Sequence, residues 1–231
     1  MQFGVIVISN YKYNCNENYF SIIDTEDRAY WLGFIYADGN THKKETALRI
    51  ELNVRDSEHL YSFLKCLGST HKVNYKHIGA HEYIGIDIAR KNLVKDLIDK
   101  GCVPNKTFKL IFPSEDILPL NLQCHFIRGY FDGDGCISTR MRLKKENMKH
   151  YLACVVKFIG TYDMMENISR IIPIDNLKIK EVEKSKGIYQ LEVYSRNKII
   201  TLMDYLYEDS HFYFSRKYDK YIHDIKFYKI P

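Results

Sequence analysis

Two ten-residue stretches decide the reading of this chain. They are Tyr30-Trp-Leu-Gly33-Phe-Ile-Tyr-Ala-Asp38-Gly39 and Phe126-Ile-Arg-Gly129-Tyr-Phe-Asp-Gly-Asp134-Gly135. Both run aromatic, x, x, Gly, aromatic, large apolar, x, small, Asp, Gly, and they align without a gap. Working outward, the flanks repeat as well. An apolar–polar alternation predicts a strand over Thr46–Val54 and another over Tyr151–Ile159. Next come helices opening near an acid, at Asp56 and at Asp163. Strand pairs ending in Ile86–Arg90 and Leu191–Arg196 follow, then helices over Asn92–Ile98 and Lys198–Leu206. Each copy closes near a lysine, Lys106 and Lys217. The unit is helix, two strands, helix, two strands, helix, used twice. Its alternating strands imply antiparallel, half-exposed sheets. Pro113 and Pro119 bracket the join. The expected organisation is an N-terminal extension over 1–19, with room for an extra strand, a first half over 20–113 and a second over 114–231.

The ten-residue stretches read as helices. Asp24 or Thr25 can cap the first, and Glu26 and Asp27 suit its first turn. Gly39 and Gly135 stand where a C-cap glycine belongs. Asp38 and Asp134 therefore fall in the last turn, where the helix dipole disfavours an anion by about 0.3–1 kcal/mol. Two such placements invite a compensating cation, and a divalent metal would supply it. Gly33 and Gly129 lie inside the helices, where each costs about 1 kcal/mol relative to Ala. That cost makes sense if two helix backbones touch there, with the small Ala37 and Gly133 extending the contact. Packed so, the helices would bring Asp38 and Asp134 together at one end.

Composition sets wider bounds. The chain has 231 residues, and its formal charge of +5 is too mild to name a partner unless the basic residues cluster. They do cluster beside the second repeat, in Arg140-Met-Arg142-Leu-Lys144-Lys145-Glu-Asn-Met-Lys149, and more weakly beside the first, in His42-Lys43-Lys44. No apolar run approaches the roughly 18 residues of a membrane span. The six cysteines are scattered without a Cys-x-x-Cys, which points to reduced thiols in a soluble intracellular protein.

The two stretches closely resemble the LAGLIDADG motif of homing endonucleases, matching it at the glycines, the acid and the final Gly. Two copies in one chain resemble the monomeric, pseudo-symmetric members. The resemblance implies an α/β (α+β) fold of two αββαββα halves. The motif helices would pair at the interface, and the two antiparallel sheets would form a saddle over DNA. It implies Mg²⁺, with Mn²⁺ as a substitute, bound at Asp38 and Asp134, with Ala37 and Gly133 as further contacts. It implies cleavage of both strands of a long, specific double-stranded target. Lys106 and Lys217 would be catalytic contacts to the phosphates. Arg49, Lys43, Lys44, Arg140, Arg142, Lys144 and Lys145 would bind DNA, on strand ribbons that fit a major groove about 12 Å wide. The chain departs from the motif at Tyr36, where the second copy keeps an earlier acid as Asp132. Arg128 is also large for a helix interface. An RNA maturase, or a relative that binds DNA without cutting, is the alternative class. The retained acid pair favours the enzyme.

Overall fold

Ala29 to Tyr36 form an unbroken buried run inside α1 (Glu26–Asp38). A helix apolar on every side cannot sit on a surface and must lie at the centre of the molecule. Its partner is α4 (Gln123–Asp134), buried from Phe126 to Asp132. The computed structural model describes residues 12–42, 44, 46–144, 146 and 148–228. Around the α1–α4 pair it arranges β1 (Asn40–Thr41), β2 (Leu48–Asn53), α2 (Ser57–Cys66), β3 (Asn74–Ile78), β4 (His81–Ile88) and α3 (Lys91–Asp99) after α1. After α4 come β5 (Cys136–Lys144), β6 (Lys149–Gly160), α5 (Tyr162–Ile171), β7 (Ile179–Glu181), β8 (Tyr189–Tyr194), α6 (Arg196–Tyr207) and α7 (Ser215–Tyr221). The expected order of elements is therefore present twice, with α7 added at the end.

The sheets are antiparallel, ordered β1-β2-β4-β3 and β5-β6-β8-β7. In β2, buried Leu48, Ile50 and Leu52 alternate with Arg49, Glu51 and Asn53. The inward set packs on the core, and the outward set leaves one face of each sheet to solvent. Trp31 is buried against Phe34, His59 and Phe63. All six cysteines are unpaired. No helix among the described residues is long and apolar enough to cross a membrane.

The interior glycines are explained by the helix pair. A Cβ on Gly33 would sit 2.0 Å from the Phe126 carbonyl oxygen, and one on Gly129 would sit 1.9 Å from the Tyr30 carbonyl oxygen. Each glycine thus faces the backbone of the other helix. At the end of the pair, a Cβ on Gly133 would lie 2.2 Å from that of Ala37.

The structure revises three local expectations. Gly39 and Gly135 do end their helices, but with φ of −72° and −69°, not in the left-handed region. Space requires them: a Cβ would meet the Ile35 side chain at 2.5 Å and the Phe131 ring at 2.1 Å. Helix α5 does open near Asp163 as expected: Thr161 caps it, its hydroxyl accepting from the Met164 N–H, and Asp163 in the first turn accepts from the Phe112 N–H at 2.6 Å. Arg128 does not obstruct the interface. It is fully buried and donates to the Phe212 and Leu206 carbonyls and, at 2.7 Å, to Glu26 of α1. Residues 1–11, including most of the place allowed for an extra strand, lie outside the described residues. Residues 12–19 are not a strand: Asn14 and Asn16 hydrogen-bond to Thr70 and Leu67 after α2.

Gly→Ala inside a helix ordinarily stabilises by up to about 1 kcal/mol. Here the sign should reverse. Gly33→Ala or Gly129→Ala is expected to cost about 2 kcal/mol or more, because two backbones must separate. Urea denaturation of the variants checks this.

Candidate active site

The floor of the candidate site is the shared C-terminal end of α1 and α4. Asp38 and Asp134 are the last residue of each helix, and both side chains reach solvent. Among the described residues neither carboxylate accepts a hydrogen bond from the protein. Protein atoms crowd them all the same. Burial pushes Asp38 up to about 6; repulsion from Asp134 adds to this, and Lys217 and Lys106 pull it back. Burial raises Asp134 too, again opposed by the two lysines. A cleft of about 230 Å³ opens beside Asp134, lined by Ala37, Lys106 and Thr107 among others.

Two lysines close the helix ends. Lys106 follows Asn105, whose φ of 54° turns the chain inward; Asn tolerates that conformation better than most residues. The Lys106 ammonium donates to the Ala37 carbonyl at 2.9 Å and the Gly39 carbonyl at 2.6 Å. Lys217, on α7, donates to Phe131 at 2.7 Å and Gly133 at 3.0 Å. A cation on the last carbonyls of a helix satisfies their lone pairs and its dipole together. Burial lowers both ammoniums, Lys217 to about 8, while Asp132, Asp38 and Asp134 draw Lys217 back up. The carbonyls of Ala37 and Gly133, expected as metal contacts, are therefore hydrogen-bonded to lysine.

Asp132 is the residue whose purpose the sequence reading left open. It is buried and accepts from Tyr30 at 2.8 Å, Tyr207 at 2.5 Å and the Phe214 N–H at 2.8 Å. Phe214 is the N-cap of α7, so Asp132 ties the Lys217 helix to both motif helices. Tyr36, at the matching place in α1, donates to the Lys100 carbonyl instead. The only advance signal was the doubled acid in Asp132-Gly-Asp134.

The remaining candidates lie apart from the helix ends. Arg49 is exposed on β2 and pairs with Asp87 at 2.8 Å. Arg140, Arg142 and Lys144 are exposed along β5, and Lys44 is exposed in the turn before β2. Lys43 and Lys145 lie outside the described residues.

The two sheets and the helix pair between them match the fold of several solved structures. The I-LtrWI LAGLIDADG homing endonuclease bound to target DNA aligns over 90% of this chain and 89% of its own, at 14% identity and a TM-score of 0.57. This chain has the LAGLIDADG homing endonuclease fold. The meganuclease I-SmaMI bound to uncleaveable DNA aligns over 84% of this chain and 87% of its own (12% identity, TM-score 0.59). The LAGLIDADG meganuclease I-AabMI bound to uncleaved DNA aligns over 82% and 86% (13%, 0.56). No family model and no curated protein matches the sequence. Within the LAGLIDADG fold, the asymmetric parts here are Tyr36 opposite Asp132, and a lysine in a one-turn helix (Lys106–Phe108) opposite one on α7.

The raised Asp38 has a consequence for stability. Its folded value of about 6 lies above the ordinary 3.8. Ionisation therefore costs the folded state more than the unfolded one. The penalty is absent below the ordinary value and complete above the folded one. In EDTA, Asp38→Asn is expected to raise Tm by about 1–3 °C at pH 7.5 and to leave it nearly unchanged near pH 4. Calorimetry at the two pH values checks this.

Proposed function

We propose that this chain is a site-specific double-strand DNA endonuclease that hydrolyses phosphodiester bonds with divalent metal held by Asp38 and Asp134. One observation carries the reading. Two solvent-reaching carboxylates end two helices locked together at glycine, with no protein donor on either acid among the described residues and a lysine from each half beside them. The structural likeness supports it: I-LtrWI and I-AabMI were solved on DNA, and I-SmaMI on uncleaved DNA in the presence of calcium ions.

The donor set fits a hard cation. Both ligating groups are carboxylates, and no cluster of three His, Cys, Asp or Glu occurs among the described residues. The protein would supply two acidic ligands and leave the other positions to water and phosphate, an arrangement that suits Mg²⁺. Mn²⁺ accepts the same oxygen donors. When bound, such a metal supplies an activated water and neutralises charge on the leaving oxygen. Asp38 and Asp134 orient it from both helices, so one acid comes from each half. Lys106 and Lys217 each spend two N–H groups on helix carbonyls. An ammonium has three, which leaves one donor for a phosphate oxygen. Ala37 and Gly133 carbonyls retain a second lone pair for the metal shell. Asp132 is a positioning residue that holds the helix carrying Lys217. The solvent faces of the two sheets, with Arg49, Arg140, Arg142 and Lys144, would lie along the duplex. One chain holds both motif copies, which makes a monomer sufficient.

The test is incubation with Mg²⁺ and genomic DNA, with the new ends mapped by sequencing. Paired cuts on both strands at one or a few sites are expected. Asp38→Asn and Asp134→Asn should each lower the cutting rate by about 10³-fold or more, equivalent to ~4 kcal/mol, while duplex binding persists. Wild-type protein that binds duplex DNA with Mg²⁺ yet leaves it intact would overturn the assignment.

A further inference from the structure

Strand register separates the solvent faces of the two sheets by charge. On the first sheet, Arg49 and Lys76 face outward together with Glu51 and Asp87. The cations are already paired, Arg49 with Asp87 at 2.8 Å and Lys76 with Glu51 at 3.4 Å. Asn40, Asn53 and Asn74 share that face. On the second sheet, Arg140, Arg142 and Lys144 of β5 align with Lys157 of β6 and Lys180 of β7, and Glu192 of β8 is the one acid on this face among the described residues. Glu192 pairs with Lys157, and Lys144 with Glu146 of the adjoining turn. Arg140 and Arg142 have no carboxylate partner among the described residues. At the outer edge of this sheet, Lys178, Lys180 and Lys198 line a recess of about 330 Å³.

A polyanion meets these faces differently. Free cations release counterions when they neutralise phosphates, and that release carries the salt-dependent part of affinity. Cations already neutralised by a neighbouring acid add little to it. A face of Asn, Arg and carboxylate groups has instead the donors and acceptors that pair with base edges: Asn with adenine, Arg with guanine, Glu or Asp with the cytosine amino group.

We propose that the two sheets divide the work of binding duplex DNA: β5–β8 supplies the electrostatic grip on the backbone, and β1–β4 reads bases with little backbone affinity of its own. The inference rests on the endonuclease reading, but it predicts an inequality that the reading does not require. It gives the basic residues after the two motifs unlike roles: Arg49 is a base-reading candidate held by Asp87, not a phosphate anchor.

The test uses duplex DNA of mixed sequence and roughly 30 bp, with the binding constant followed by fluorescence anisotropy between about 50 and 200 mM KCl in EDTA. Each lost phosphate contact flattens the log–log slope by about 0.9. The variant R140Q/R142Q/K180Q is expected to flatten it by about 2 to 3. R49Q/K76Q should change it by less than about 0.5, and E51Q/D87N, which frees two cations, should steepen it by about 1 to 2. All substitutions are on exposed sheet faces, and an unchanged thermal transition confirms that each variant folds. Equal flattening by the two cation-removing variants, or none from the β5–β8 variant, would overturn the division of labour and leave the endonuclease reading standing. Wild-type protein that fails to bind the duplex at the lowest salt would overturn both.

Discussion

The contact of two helix backbones at Gly33 and Gly129 is the constraint on which the rest depends. Each glycine presses against a carbonyl of the opposite helix, closer than any side chain would allow. Helices separated by side chains normally sit 8–10 Å apart. Here the separation is set by bare backbone, and it leaves little freedom to slide or splay. Two residues at the far end of such a pair are placed together without any loop to position them. Asp38 and Asp134 occupy those places. The electrostatic cost is large for so small an area: two acids on the negative ends of two dipoles, raised by burial and, at Asp38, by the other acid. Lys106 and Lys217 offset part of it by capping the carbonyls beneath. An electrostatic cost of this kind, only partly offset by the protein itself, is characteristic of functional sites.

A buried polar network holds the two halves in register. Arg128 reaches from α4 to Glu26 on α1, and Glu26 also accepts from the backbone of His211 and Phe212. Asp132 gathers Tyr30, Tyr207 and Phe214. A charge removed from water must be hydrogen-bonded to be tolerated, and Arg128 places four of its five N–H groups, on Phe212, Leu206, Glu26 and the His125 ring nitrogen. These bonds join α1 and α4 to α6 and the start of α7. The second half thus has a scaffold for its lysine that the first half lacks; there, a left-handed Asn105 and a short turn do the equivalent job. The pseudo-symmetry is close at the helices and loose at the lysines.

The repeat of ten residues made the paired helices, the two sheets and the acid pair legible, because periodicity and glycine placement are local signals. The antiparallel, half-exposed character of the sheets followed from the alternation in β2 and its counterpart. What was illegible depended on partners distant in sequence. Arg128 read as an obstruction because its distant acceptors lie on α1, in the last turn of α6 and in the segment between α6 and α7. Asp132 read only as a retained acid, since nothing local reveals two tyrosines and an amide converging on it. The glycines ending α1 and α4 were expected from helix-capping habit, whereas Ile35 and Phe131 exclude a side chain there. The inequality of the sheet faces needed the strand register, which sets Arg49 opposite Asp87 and Arg142 opposite Tyr151.

The most direct measurement of the central claim is local oxidative cleavage of the polypeptide by Fe²⁺ bound in place of Mg²⁺, with duplex DNA present and with ascorbate and peroxide as reagents. The account predicts backbone breaks beside both Asp38 and Asp134, appearing together and suppressed together by excess Mg²⁺. Breaks at one motif alone, or confined to other parts of the chain, would contradict it.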